Sequence, residues 1–169
     1  MDNPFVLLET SEGDILIELY PEKAPISVAN FLQYVDDGYY DGTIFHRVVR
    51  KFMIQGGGYT RSYERKTPRE SIANEAKNGL SNTKGTVAMA RTLEKDSAND
   101  QFFINAEDNA GDLDHTGESD EEFGYAVFGE VIEGMDVVKK LNWKVTEKRD
   151  GFQNIPKEDL FIKSAYRFE

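Results

Sequence analysis

A chain of 169 residues with a formal net charge of −11 and no cysteine has room for one domain that buries about 70% of its unfolded surface. It is too acidic for general binding to phosphate backbones or to an anionic membrane face, and it can hold no disulfide framework, thiolate nucleophile or Cys-based zinc site. Aromatic residues make up 12% of the chain, and its apolar runs are short and broken by glycine-containing turns, a pattern of sheet rather than of a helical bundle.

The opening Met1-Asp2-Asn3-Pro4-Phe5 lacks the basic and long apolar regions of a leader, and no stretch reaches the ~18 apolar residues that span a bilayer. The expected location is the cytoplasm. Residues 5–10 and 15–20 are β-rich runs joined by Ser11-Glu12-Gly13-Asp14, the composition of a hairpin turn. Pro25 then suits a first helical turn, Val28, Phe31, Leu32 and Val35 repeat at i, i+3, i+4 and i+7, and Gly38 stops the helix.

Residues 45–58, FHRVVRKFMIQGGG, read as a strand, a tight turn and a second strand. Arg47 is unusual there, because a guanidinium on a half-buried strand cannot shed its charge; an arginine held beside apolar surface points to a ligand. Its neighbour His46 should face the other way and be a satisfied structural histidine. In the turn, Arg50-Lys51 forces a residue with a Cβ toward positive φ. Gly56-Gly57-Gly58 has no following Lys-Ser/Thr, so it suits close backbone packing rather than phosphate.

Residues 59–84 read as surface loops, 87–91 and 101–106 as strands, and 108–124 as an acidic, irregular loop. Asp112-Leu113-Asp114-His115-Thr116-Gly117 begins like a calcium loop, but its twelfth position is Phe123, which removes the bidentate glutamate such a loop needs. Residues 125–131 return to strand, a second helix runs from 133 or 134 to about 141 with Met135, Val138 and Leu141 inward, and 143–146 and 159–168 are the last strands. These elements make an antiparallel β-barrel with two helices, in one domain over residues 1–169.

Several stretches resemble the cyclophilins, the peptidyl-prolyl cis-trans isomerases: the 45–58 segment, Gly85-Thr86-Val87-Ala88-Met89-Ala90, Ser97 followed by Gln101-Phe102-Phe103-Ile104, and Val127-Phe128-Gly129. The resemblance implies a closed eight-stranded antiparallel barrel with a helix over each open end, a substrate groove on its outer wall, and isomerisation of X-Pro bonds in unfolded or flexible chains by a monomer that needs no metal or other cofactor. It also implies the site. Arg47 is the catalytic donor, Phe52, Met53, Phe103 and Leu113 form the apolar wall, Gln55 and Gln101 contact the peptide, Ala90 and Arg91 flank the groove, and Tyr125 stands where many cyclophilins carry histidine. Periodicity does not bring Phe52 and Met53 to one pocket, since adjacent strand residues point to opposite faces unless the strand begins irregularly.

The chain departs from the family's pattern where an aromatic residue often precedes the leucine: here Asp112 precedes Leu113, with Gly111 added. An aspartate offers cyclosporin, the cyclic peptide for which the family is named, neither an indole donor nor an apolar face, so weak cyclosporin binding is expected. Two other classes fit less well. A proline-peptide binding module or holdase could use the same groove without Arg47, and a carboxylate hydrolase has only the charge density of residues 108–122 in its favour.

Overall fold

The structure, a computed structural model, describes residues 2–169; Met1, where the reading of the N-terminus begins, lies outside them. Strands β1 (Phe5–Thr10) and β2 (Gly13–Leu19) form the expected hairpin, and helix α1 (Pro25–Asp36) follows. Strands β3 (Arg47–Val49) and β4 (Met53–Gly56) carry the central stretch, and a 3-10 turn, Ala76–Asn78, interrupts the long polar segment. Next come β5 (Thr86–Met89), β6 (Phe102–Asn105), a short helix α2 (Ala110–Leu113), β7 (Val127–Glu133), helix α3 (Met135–Asn142), β8 (Thr146–Arg149), β9 (Phe152–Pro156) and β10 (Ile162–Arg167).

Eight strands pair antiparallel in the order β10-β1-β2-β7-β5-β6-β4-β3 and curl into an open half-barrel, not the closed barrel expected. The end strands β10 and β3 share no ladder. β3 is only three residues long, and on its free side it packs against β9 of the separate β8–β9 hairpin. Residues 42–45 span the gap instead: Gly42 N–H donates to the Ile162 carbonyl at 2.7 Å, Ile162 N–H to Thr43 at 2.8 Å and Phe45 N–H to Leu160 at 3.0 Å. These bonds leave no long unpaired edge at the seam.

Three helices replace the two expected, because α2 sits in the stretch read as irregular. Residues 143–146 are not a strand: Trp143 caps α3, and β8 begins only at Thr146. The missed β8–β9 hairpin turns at Asp150 (φ 50°) and Gly151 (φ 88°), an Asp-Gly pair whose two positive φ values fit the primed turn of a two-residue hairpin. Among the described residues no helix is long and apolar enough to cross a membrane.

The core lies inside the curl, where Phe31 of α1 meets Phe102 edge-on at 5.3 Å and Phe128 at 5.1 Å. A second apolar cluster, with Met53, Ala88, Phe103, Leu113 and Val127, lies on the outer side of the same sheet. Strands β5 and β6 are therefore buried on both faces, and TVAM and FFIN read as near-continuous apolar runs rather than alternating ones.

Helix α1 begins on Ala24, which offers no side-chain cap. Its orphan donors are met from 48 residues away: Glu75 accepts from Ser27 N–H and Ser27 Oγ–H, both at 2.7 Å, and from Ile26 N–H at 3.2 Å. At the other end Gly38 (φ 69°) closes the helix, its N–H donating to Val35 and that of Tyr39 to Tyr34, the paired bonds of a Schellman motif. Since a carboxylate at a helix N-terminus both caps and opposes the helix dipole, Glu75→Ala is expected to cost about 1–2 kcal/mol in urea unfolding. An unchanged midpoint would mean that α1 is capped by water alone.

Candidate active site

The β3–β4 turn shapes one wall of the site. Lys51 takes φ 61°, as the Arg50-Lys51 pair led us to expect, and Phe52 N–H donates to Val49 at 3.0 Å. A non-glycine residue holds this left-handed conformation only where its surroundings over-determine it. Here Asn142, buried at the end of α3, accepts from Lys51 N–H at 2.9 Å and donates to the carbonyls of Val49 at 2.9 Å and Met53 at 3.2 Å. Trp143 adds its ring, with the Arg50 guanidinium 4.7 Å and the Lys51 ammonium 5.8 Å from its centroid.

Because β4 starts only at Met53, Phe52 belongs to the turn and is released from strand alternation. Phe52 and Met53 consequently line one groove. Beyond them the ladder pairs Arg47 with Gln55, Gln55 with Phe103 and Phe103 with Ala88, so one cross-strand row runs from a cation to an apolar floor. Arg47 is exposed on the outer wall and not half-buried as the strand pattern suggested; the interior of the curl is filled by the core. Gln55 and Gln101 are only partly buried and meet along the wall, Gln55 Nε2 donating to Gln101 Oε1 at 2.9 Å.

The groove holds about 130 Å³. Arg47 and Gln55 form its polar end, Phe52, Met53, Phe103 and Leu113 its walls, and Ala90, Arg91 and Tyr125 its rim. Of the ten residues singled out from the sequence, only Gln101 lies off this lining; it borders an adjoining recess of about 240 Å³ together with Arg65, Ser97 and Asn99. Tyr125 stands edge-on to Phe103 at 5.6 Å. Arg91 is committed to the rim, donating to the carbonyls of Gly124 at 3.0 Å and Asp120 at 2.7 Å. Arg47 is not so committed: among the described residues its side chain makes one long hydrogen bond, to Gln55 at 3.4 Å, and no ion pair. A weakly engaged donor at the end of an apolar slot can turn to a ligand at little cost.

Sequence reasoning passed over the scaffold behind the groove. Asp100, fully buried, takes both arms of Arg65 at 2.6 and 2.9 Å and the Tyr39 hydroxyl at 2.6 Å, which anchors the approach to Gln101 and β6. The buried asparagines Asn82, Asn105, Asn109 and Asn142 have no sequence signature, since Asn82 reads as a turn, Asn105 as a strand end, Asn109 as part of an acidic loop and Asn142 as the residue after a helix. The three glycines do pack closely: a Cβ on Gly56 would stand 2.7 Å from the Ile44 carbonyl oxygen and one on Gly58 would stand 2.8 Å from Gln101. Asp114, from the calcium-like stretch, accepts from Asn82 N–H at 2.7 Å, from Asn82 Nδ2 at 3.0 Å and from the Ser81 hydroxyl. Asp112 is exposed and lies off the groove's lining.

The family described as cyclophilin type peptidyl-prolyl cis-trans isomerase/CLD matches residues 5–167. Peptidyl-prolyl cis-trans isomerase A of Dickeya dadantii is 52% identical over 160 residues, covering 95% of this chain and 82% of that one. Peptidyl-prolyl cis-trans isomerase B of Escherichia coli is 50% identical over 160 residues, 95% and 97% of the two chains. Among solved structures, a cyclophilin type peptidyl-prolyl cis-trans isomerase of Cryptosporidium parvum shares the fold, with a TM-score of 0.80 at 24% identity over 99% of this chain and 98% of that one. A structure of the same protein in the presence of the dipeptide Ala-Pro gives a TM-score of 0.79 at 24% identity, covering 98% and 99%.

Behind the Arg47–Gln55 row lies His46, buried between Tyr59 at 4.6 Å and Phe152 at 5.9 Å. It is not the satisfied histidine expected, for its Nδ1 has no hydrogen-bond partner. Burial, helped by the charges of Arg65 and Arg47, pushes its pKa down from 6.5 to about 4. A histidine held neutral in the fold but free to charge when unfolded stabilises fully above pH 6.5, and that contribution is lost as pH falls from 6.5 toward 4. Between pH 7 and 5, where carboxylates change little, the unmodified protein should lose on the order of 1–2 kcal/mol more stability than His46→Gln. Parallel slopes in denaturant titrations at pH 7, 6 and 5 would mean that His46 takes up its proton in the fold as easily as in the unfolded chain.

Proposed function

The chain belongs to the cyclophilin-type peptidyl-prolyl cis-trans isomerases, and we propose that it turns X-Pro bonds in the groove beside Arg47. The observation that carries this assignment is the nearly uncommitted guanidinium at the polar end of an apolar slot. A planar X-Pro bond resists rotation by ~18–20 kcal/mol because twisting breaks amide resonance. As it twists, the prolyl nitrogen regains its lone pair and becomes a better acceptor, so a donor aimed at it favours the twisted state over either planar one. Arg47 is that donor, and no covalent bond is made or broken.

One charge-assisted hydrogen bond is worth ~1.5–3 kcal/mol net, whereas a million-fold acceleration needs about 8 kcal/mol. The remainder comes from gripping the proline ring between Phe52, Met53, Phe103 and Leu113 while the preceding carbonyl swings. Gln55 and Gln101 offer amides to the peptide backbone, and Ala90, Arg91 and Tyr125 guide the flanking residues. Substrates are then proline-containing segments of unfolded or flexible chains, and a dipeptide as small as the Ala-Pro used with the Cryptosporidium parvum protein is a suitable minimal probe.

Arg47→Ala should lower the catalysed exchange rate of a short Ala-Pro peptide about 10- to 100-fold, with peptide affinity changed less than about threefold, because the bond strengthens only in the twisted state. Phe103→Ala should weaken affinity. NMR exchange spectroscopy reads both effects, and an intact rate in Arg47→Ala would assign the donor's role to another group.

Cyclosporin should inhibit weakly. The exposed carboxylate of Asp112, beside Leu113 on α2, would have to be partly dehydrated under a largely apolar ligand. Titrating isomerase activity with the drug tests this: Asp112→Trp should tighten inhibition by about tenfold or more, the equivalent of ~1.4 kcal/mol. Tight inhibition of the unmodified protein would contradict the expectation.

A further inference from the structure

Phe52 and Leu113 flank the groove from separate elements, one on the β3–β4 turn and the other at the end of α2, and no strand ladder joins them. Asn109 touches the backbone of both. Buried at the start of α2, it donates from Nδ2 to the Phe52 carbonyl at 2.8 Å, and its own carbonyl accepts Leu113 N–H at 3.0 Å. The Asn109 backbone is itself fixed, its N–H donating to the Asn82 carbonyl at 2.8 Å.

The network also fixes which way the carboxamide points. Asn105 Nδ2 donates to Asn82 Oδ1 at 3.0 Å and to Thr86 Oγ1 at 2.9 Å, so its Oδ1 is the atom left to face Asn109. Asn109 meets that oxygen with Nδ2 at 2.9 Å. Both of its amide protons are thus directed at acceptors, one of them the carbonyl of a groove residue, in a region where an unmet acceptor is costly.

We propose that Asn109 is a positioning residue of the isomerase, setting the spacing between the Phe52 and Leu113 walls and hence the grip on the proline ring while its bond twists. The inference rests on the groove being the catalytic site. It assigns Asn109 no contact with substrate. Its effect passes through Phe52, whose carbonyl also accepts Ala106 N–H at 2.9 Å and would be held on one side only if Asn109 could not donate.

Asn109→Asp keeps the shape and removes the donor, placing a carboxylate against two carbonyl-type oxygens. Since a misplacement of about 1 Å can cost up to ~100-fold in rate, kcat for an Ala-Pro peptide should fall about tenfold or more with KM raised less than about threefold. In a Phe52→Ala background the same substitution should cost less than about twofold further, because what it positions is gone. A merely structural role would cost the same in both backgrounds, and that outcome, or unchanged kcat in folded Asn109→Asp, overturns the inference. Should Asn109→Asp not fold, hydrogen exchange in the unmodified protein decides: side-chain amide protons of Asn109 exchanging more than about tenfold slower than a free carboxamide support the bond to Phe52, and exchange at the free rate overturns it. Loss of the site reading itself looks different, for then the unmodified protein catalyses no exchange or Arg47→Ala keeps the full rate.

Discussion

The antiparallel register that sets Arg47 opposite Gln55, Gln55 opposite Phe103 and Phe103 opposite Ala88 is the constraint on which the groove depends. Side chains on a strand alternate between faces, so a slip of one residue between β3 and β4 would bring Ile54 to the wall and send Gln55 into the core. Two features oppose that slip. The β3–β4 turn is locked by Asn142 around the left-handed Lys51, and Gly56, at the far end of β4, sits too close to the Ile44 carbonyl for any other residue.

The groove's chemistry follows from what this wall brings together. Arginine cannot be discharged by an apolar neighbourhood as lysine can, so Arg47 remains a donor beside Phe52 and Phe103. The acidic stretch after β6 has no part in this: Asp108, Asp112, Glu118, Asp120 and Glu121 are exposed, and surface pairs such as Lys77–Glu118 are worth little. Behind the wall, Asp100, Asn82, Asn105, Asn109 and Asn142 are paired with other side chains and with backbone, which gives the apolar side chains fixed positions without placing further charge in the slot.

Local chemistry made much of this legible in the sequence. The first hairpin and α1, with its Pro25 start and Gly38 stop, carry a turn composition and a periodicity that the fold obeys, the runs at 87–91 and 101–106 are apolar enough to mark β5 and β6, and the positive φ forced on the Arg50-Lys51 turn falls on Lys51. What could not be read was non-local. Glu75 caps α1 from 48 residues away, Asn142 holds a turn 91 residues back, and the sheet stays open because β3 is short and faces β9. The Asp150-Gly151 pair was a local signal of the β8–β9 hairpin and was passed over, whereas the one condition under which Phe52 and Met53 could share a pocket, an irregular start to the strand, is met because β4 begins only at Met53. Nine of the ten site residues proposed from the sequence line one groove, but the asparagines that hold it carry no pattern at all.

The most direct test of the account is a high-resolution structure of the protein with a short Ala-Pro peptide bound. The account predicts the proline ring seated among Phe52, Met53, Phe103 and Leu113, with an Arg47 N–H turned from Gln55 toward the prolyl nitrogen or the carbonyl preceding it. A peptide bound elsewhere, or a proline in the groove with Arg47 directed away from the X-Pro bond, would contradict it.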